Sequence, residues 1–369
     1  MSVKKHNKFQ RLVVPGLVFQ SIVIAGGYGT GAELAEFFFP YGSLGGLIAM
    51  STVTLLFWAV VSAVTFEFAR VFKTYDYRSM FKKLLGPAWV VFEVLYLFLL
   101  MLVLSVVVAS SGANMQEVFG LHKWVGVIIM AAGIIFLIFK GTSTLEKVMS
   151  VWSYILYAVY FAFMVLCFVK FGNVINEQLT VVKEIKPGWM FGGARYAFYN
   201  LAAIPLFLFT VADSETRGES IIAGLLAGVI AIIPAVMLFI TLVSQYPESA
   251  RAQVPVNFVF EKLNMRGLQI VFQIVLFGTL IETGSGFIKA VSDRLEGQFN
   301  TKEKPRVWIR PVTAVGCIAL GTVVSTFGLT GLIARGYGTI TWGFFIVYVI
   351  PMLTWGVYKI IKQGQPVIN

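Results

Sequence analysis

Apolar residues occur along the chain in ten long runs, separated by charged residues or by glycine and proline. Most runs have roughly the 17–25 residues that an α-helix needs to cross the hydrocarbon core of a membrane. The connections are short, so the sequence predicts an all-α polytopic membrane protein with a single transmembrane domain over residues 1–369. The ten predicted spans cover about residues 12–38, 44–69, 88–112, 124–140, 147–170, 189–212, 220–244, 266–290, 307–326 and 331–359.

The composition supports this membrane assignment. Hydrophobic residues make up 58% of the chain and charged residues 13%, whereas soluble domains contain about 45–50% and 25%. A soluble enzyme, a disordered chain and a secreted disulfide scaffold are therefore excluded. Cys167 and Cys317 lie within apolar runs and are expected to be buried thiols without a disulfide.

The net charge of +11 is explained by membrane topology. Cytoplasmic loops of membrane proteins retain an excess of Lys and Arg. With a cytoplasmic N-terminus, 19 of the 29 Lys and Arg residues fall on cytoplasmic segments. This count predicts that both termini are cytoplasmic, and no nucleic-acid partner is needed to account for the charge.

The first span contains a cluster of glycines at its centre, where residues 25–31 read Ala-Gly-Gly-Tyr-Gly-Thr-Gly. A continuous helix would lose about 1 kcal/mol per glycine relative to alanine, and an unwound segment would free backbone groups for a ligand. Close helix packing through small residues is the alternative. The consecutive and alternate spacing of these glycines favours unwinding.

The sixth span carries Pro205 five residues after Asn200. Proline cannot donate to the carbonyl four residues back, here that of Leu201, so the span is either kinked or broken. Spans one and six are corresponding members of two five-span halves. Interruptions at matching positions predict a 5+5 inverted repeat, over about residues 12–172 and 189–360, with a binding site near the membrane midplane.

These features resemble the amino acid, polyamine and organocation transporter superfamily, which has the leucine-transporter-type fold with discontinuous helices one and six. Within it, Pro15-Gly16 followed by Ile-Ala-Gly-Gly-Tyr-Gly-Thr-Gly-Ala-Glu-Leu at 24–34 resembles the YkvI-type bacterial permeases. The resemblance implies a location in the cytoplasmic membrane of a bacterium. It also implies a substrate amino acid bound between the unwound parts of helices one and six.

The ends of broken helices offer amides to a carboxylate and carbonyls to an ammonium group, a combination that suits a zwitterion. The side chains and backbone groups nearest to the two interruptions are the expected substrate ligands. The candidate substrate-binding residues are Gly26, Gly27, Tyr28, Gly29, Thr30, Tyr199 and Asn200.

Span eight carries an ionisable residue, Glu282, near its centre, which marks a functional site by default. Thr279, Glu282, Ser285 and Lys289 recur at helical spacing on one face, which is suited to a proton or cation path. A structural ion pair between Glu282 and Lys289 is the alternative.

The resemblance to sodium-coupled members implies a second role for span eight. In those members, hydroxyl groups of helix eight and carbonyl groups of helix one bind Na⁺. Here the corresponding ligands are the hydroxyls of Thr283 and Ser285 and the carbonyls of Val23 and Gly26. The coupling ion is expected to be Na⁺ or H⁺, with no other cofactor.

Four further charged residues lie inside predicted spans. Glu33 and Glu36 follow the glycines of span one, while Arg195 and Arg335 lie in the outer parts of spans six and ten. Members of the resembling superfamily often close the outer pathway with a salt bridge involving helices one and ten, which implies an extracellular gate here in which Glu33 or Glu36 pairs with Arg335 or Arg195. Static ion pairs that neutralise buried charge are the alternative.

Taken together, these features predict a secondary active transporter of a small amino acid or related zwitterion that works by alternating access. The alternative is a permease-like sensor that binds such a ligand without transporting it. A membrane enzyme is disfavoured because the sequence shows no nucleophile, base or metal constellation. A channel is also disfavoured: Gly-Tyr-Gly-Thr occurs twice, at 27–30 and 336–339, whereas a selectivity filter needs four converging copies.

Overall fold

A computed structural model describes residues 7–140, 142–299 and 308–364. These residues form helices and turns and no β-strand, so the predicted all-α class is confirmed. The helices in chain order are Lys8–Val23, Gly26–Gly29, Ala32–Phe38, Ser43–Phe72, Tyr77–Phe119, Lys123–Lys140, Thr142–Asn176, Trp189–Leu201, Ile204–Val211, Arg217–Val243, Pro255–Leu263, Arg266–Phe299, Ile309–Ser325 and Leu329–Gln363.

Six helices in the described part of the chain are long and apolar enough to cross a membrane. A seventh span results when Trp189–Leu201 and Ile204–Val211 are counted together, and two shorter apolar helices coincide with predicted spans four and nine. The first predicted span is divided into three short helices. Each predicted run therefore falls on a helix or a broken helix, while ten crossings and the inverted relation of the halves stay predictions.

The first span unwinds at its glycine cluster, as the spacing of the glycines favoured. The helix Lys8–Val23 ends before Ala25, which is extended with φ −109° and ψ −170°. After the single turn Gly26–Gly29, Gly31 adopts φ +79°, a left-handed conformation that favours glycine. The next helix therefore leaves in a new direction.

The sixth span is broken rather than simply kinked. Its first helix ends at Leu201, the residue whose carbonyl would need an N–H from Pro205. The second segment, Ile204–Val211, continues after two residues at an angle of 60° to the first. Both interruptions predicted from the sequence are thus present.

A buried aromatic cluster joins the two broken spans to span two. The ring of Phe19 lies 5.0 Å from Trp58 and 5.7 Å from Phe207, and Trp58 lies 5.8 Å from Tyr196. The indole N–H of Trp58 also donates to the carbonyl of Ala197 at 3.3 Å. This packing holds the ends of both breaks at the same level of the bundle.

Candidate substrate and ion site

A cavity of about 40 Å³ lies between the two breaks. Its walls come from spans one, three, six, eight and ten, which is where a midplane site in a broken-helix transporter is expected. The residues that line it are Ile22, Val23, Ala25, Glu33, Tyr96, Leu99, Val103, Tyr199, Asn200, Ala203, Leu206, Phe287 and Tyr337.

Glu33 and Tyr199 connect the two broken spans inside this cavity. The Tyr199 hydroxyl donates to Oε2 of Glu33 at 2.5 Å, and the two residues are only 4% and 2% exposed. The other carboxylate oxygen turns back towards the break, where a Cβ added at Gly27 would lie 2.3 Å from Oε1. The backbone N–H of Tyr28 also faces this carboxylate.

Tyr199 and Asn200, both predicted as substrate ligands, line the cavity. The Tyr199 ring stacks on Tyr337, with 4.8 Å between centroids and 19° between planes. The amide of Asn200 donates to the carbonyl of Tyr196 at 3.0 Å, which fixes the side chain beside the break. Tyr337 belongs to the second copy of the Gly-Tyr-Gly-Thr sequence, so both copies lie near the site.

The side chains of Tyr28 and Thr30 are among the predicted substrate ligands but do not line this cavity. The Thr30 hydroxyl donates to the carbonyl of Gly27 at 2.9 Å and so stabilises the turn after the break. The Tyr28 hydroxyl is buried and has no hydrogen-bond partner among the described residues. These two side chains therefore lie at the break but outside the cavity.

Gly26 and Gly29 pack against spans eight and five. A Cβ at Gly26 would lie 2.8 Å from a methyl of Leu280, and the carbonyl of Gly29 accepts from Tyr160 at 3.2 Å. The unwound segment is thus held close to neighbouring helices at this point.

A larger cavity of about 660 Å³ continues from the site towards the end of the bundle that carries the N-terminal helix. Ile22, Tyr96, Leu206 and Phe287 line both cavities. The larger cavity, called here the vestibule, reaches the exposed residue Asp76. The site therefore communicates with the surface at this end.

The other end of the bundle is closed over the site. The carbonyl of Thr30 accepts from the backbone of Val256 at 3.2 Å, which ties the break to the helix Pro255–Leu263. Further out, the Phe39 ring lies 4.7 Å from Phe239 and 5.1 Å from Tyr246. Among the described residues, these contacts close the site towards this end.

Three of the predicted ion-coupling residues, Glu282, Thr283 and Lys289, line the vestibule. No ion pair of the Glu282 carboxylate is seen among the described residues, and the alternative pairing with Lys289 stays a prediction. Ser285 is fully buried and does not line the vestibule, because its hydroxyl donates to the carbonyl of Ile281 at 2.7 Å.

The four groups predicted to bind Na⁺ make other contacts or lie on different faces in this structure. Thr283 and Ser285 are two residues apart, which places them about 200° apart around the helix. The carbonyl of Val23 already accepts from Ala25 at 2.8 Å, and that of Gly26 accepts from Thr30 at 3.2 Å. The Na⁺ site at Val23, Gly26, Thr283 and Ser285 stays a prediction.

No salt bridge joins the predicted gate residues among the described residues, although Arg195 lies close enough to Glu36 to interact with its charge. Glu33 is bonded to Tyr199, whereas the guanidinium of Arg195 lies 5.4 Å from the ring centre of Phe37. Arg335 is exposed and Glu36 is partly exposed. The structure thus places Glu33 in the candidate substrate site, and the gate assignment of Glu36, Arg195 and Arg335 stays a prediction.

The sequence analysis missed three aromatic residues of the site, Tyr96, Phe287 and Tyr337. Tyr96 and Phe287 lie in spans whose many aromatic residues give no signal to separate lining from packing.

No protein-family model matches the chain. Over 338 residues it is 22% identical to the "Uncharacterized membrane protein YkvI" of Bacillus subtilis (strain 168), covering 87% of this chain and 92% of that protein. The similarity to YkvI expected from the sequence is therefore confirmed.

Solved transporter structures share the fold. A mutant of the Eremococcus coleocola manganese transporter matches with a TM-score of 0.62 and 11% identity, over 98% of this chain and 86% of its own. MhsT in complex with L-phenylalanine matches at 0.55 and 15%, over 95% and 97%. A Na⁺-coupled sialic acid symporter matches at 0.50 and 12%, over 92% and 85%. The leucine-transporter-type fold is thereby confirmed.

Proposed function

We propose that the chain is a secondary active transporter that moves a small amino acid or related zwitterion across the cytoplasmic membrane of a bacterium by alternating access. The observation that carries this proposal is a polar site between two broken helices that is open towards one end of the bundle and closed towards the other. A permanently open pore would connect both ends. MhsT, crystallised with L-phenylalanine, and the Na⁺-coupled sialic acid symporter support a small organic substrate.

The coupling ion is Na⁺ or H⁺, and Glu282 is the residue that responds to it. Glu282 is only 9% exposed, lines the vestibule and lacks an ion pair with any residue that the structure describes. A buried carboxylate of this kind takes up a cation or a proton more readily than it stays charged alone. Thr283 and Lys289 lie beside it along the same path. Both termini are proposed to be cytoplasmic, so the vestibule faces the cytoplasm.

Counterflow in proteoliposomes tests the transporter against the sensor. Vesicles loaded with an unlabelled ligand, identified by thermal-shift screening of amino acids and amines, are diluted into medium containing a trace of the labelled ligand. A transporter exchanges the two and transiently concentrates the label inside. A sensor binds the label to the same extent whether or not the vesicles are loaded, and that result would overturn the proposal.

A further inference from the structure

The carboxylate of Glu33 is buried in the site without a cationic side chain opposite it. Its side chain is 2% exposed, and its side-chain hydrogen-bond partner is the neutral hydroxyl of Tyr199. The lining of the small cavity, all of it within the described residues, contains no Lys, Arg or His. Burial of an unpaired carboxylate is costly, so the site is electrostatically incomplete until a cation or proton enters it.

The same carboxylate occupies the place where the break would hold the carboxylate of a substrate. Unwound segments bind anionic groups through free backbone amides. Here the carboxylate of Glu33 lies against Gly27 and faces the N–H of Tyr28. A substrate carboxylate placed there would meet a like charge.

The remaining walls favour a ligand with an apolar body. Tyr199 and Tyr337 are stacked on each other in the lining, and the guanidinium of Arg294 lies over the ring of Tyr96. These rings, together with Leu99 and Val103, therefore offer the ligand mainly apolar surface.

The basic residues around this site are engaged elsewhere, and the guanidinium of Arg195 lies over the rings of Phe37 and Phe191. Arg294, on the vestibule wall, forms an ion pair with Glu93 at 3.1 Å and its guanidinium lies 4.9 Å from the ring centre of Tyr96. It therefore does not supply a counter-charge for a carboxylate bound between the breaks.

We infer that the site recognises its ligand through an ammonium group held by Glu33, and that organic amines without an α-carboxylate are its preferred ligands. This inference rests on the transporter and the site of the proposed function, and it replaces the zwitterion by an amine as the preferred ligand of that site. The ammonium group neutralises the buried charge of Glu33, and the apolar part of the amine packs on the Tyr and Leu side chains.

Matched ligands test the inference on the unmodified protein. Three sets share one side chain each: valine with isobutylamine and 3-methylbutanoate, leucine with isopentylamine and 4-methylpentanoate, and phenylalanine with phenethylamine and 3-phenylpropanoate. Binding is measured by thermal shift and calorimetry. At least one amine is expected to bind tenfold or more tightly than its amino acid, and no acid is expected to bind. An amino acid that binds as tightly as its amine, an acid that binds, or no binding by any of the three amines overturns the inference.

Variants locate the interaction. Glu33→Gln is expected to weaken amine binding at least tenfold, whereas Glu36→Gln, one turn away and partly exposed, is expected to change it less than twofold. Equal effects of both variants would contradict a role specific to Glu33. The matched ligands decide the question even if Glu33→Gln fails to fold.

The two proposals fail separately. If an amino acid binds as tightly as its amine and also shows counterflow, the transporter proposal holds and the amine preference is overturned. Amine binding without counterflow of any bound compound overturns the transporter and leaves the ligand class intact.

Discussion

The hydroxyl of Tyr199 donates to the carboxylate of Glu33 at 2.5 Å, and this bond joins the two broken spans inside the binding cavity. Because Tyr199 immediately precedes Asn200 and the break, and Glu33 follows the break in span one, any movement of one half-helix relative to the other acts on this bond. The pair is therefore suited to couple ligand binding to the arrangement of the two spans.

Tyr199→Phe removes the donor and leaves a buried carboxylate with fewer hydrogen bonds. We expect the free energy of unfolding to fall by about 1–3 kcal/mol and amine binding to change, since Glu33 is no longer oriented. The control is Tyr196→Phe, whose hydroxyl is buried without a partner among the described residues, and which is expected to cost less. Thermal unfolding in detergent compares the two variants, and an equal loss for both would argue against the role of the bond.

Gly27→Ala places a methyl group 2.3 Å from Oε1 of Glu33, too close for the carboxylate to keep its position. We expect a folded protein whose affinity for the bound amine falls at least tenfold. Gly172→Ala is the matched control, because no atom lies within 4 Å of the added Cβ. Calorimetry on both variants checks the prediction, which unchanged binding in Gly27→Ala would refute.

Access to the vestibule distinguishes neighbouring positions of span eight. In a background of Cys167→Ala and Cys317→Ala, a cysteine at Thr283 is expected to react with a membrane-impermeant maleimide added on the side of the N-terminus. A cysteine at Ser285, which is fully buried, is expected to stay unlabelled. Labelling of Thr283→Cys only from the opposite side would show that the vestibule opens the other way.

A cluster at the closed end gives a pH-dependent contribution to stability. The carboxylate of Glu184 accepts from the Tyr246 hydroxyl at 2.5 Å and pairs with Lys186 at 3.1 Å. The hydrogen bond from Tyr246, followed by the interaction with Lys186, lowers the pKa of Glu184 below its ordinary value of 4.5. A carboxylate with a lowered pKa stabilises the fold above its unfolded pKa, and this contribution is lost as the pH falls through the folded pKa.

Glu184→Gln is therefore expected to lower the melting temperature at pH 7, and its difference from the wild type is expected to shrink as the pH is lowered progressively below 4.5. The exposed Glu177, replaced in the same way, is expected to show a smaller effect at both pH values. A Glu184→Gln protein that melts with the wild type at pH 7 would contradict the stabilising role of the cluster.

The sequence predicted where spans one and six are interrupted, but it did not predict where the side chains after each interruption point. Clustered glycines and Pro205 weaken helical hydrogen bonding locally, so the positions of both breaks follow from the residues themselves. The left-handed conformation of Gly31 then redirects the helix that carries Glu33, and no helical periodicity crosses such a turn. Glu33 was accordingly expected at an outer gate, whereas the structure places it in the site.

Two other outcomes have similarly local causes. Thr283 and Ser285 were assigned to one ion site by resemblance, although helical periodicity separates residues two apart. Tyr337 belongs to the second copy of the Gly-Tyr-Gly-Thr sequence. It reaches the site because span ten packs against span six, and the sequence alone does not report that contact.

Gradient-driven accumulation tests the central claim, transport by alternating access, most directly. Proteoliposomes containing the wild type or Glu282→Gln receive the labelled ligand under an inward Na⁺ or H⁺ gradient, with and without an ionophore that dissipates it. The wild type is expected to accumulate ligand above equilibrium under one gradient and to lose it with the ionophore, while Glu282→Gln retains counterflow without accumulation. Saturable binding by the wild type with no accumulation under either gradient would contradict the account.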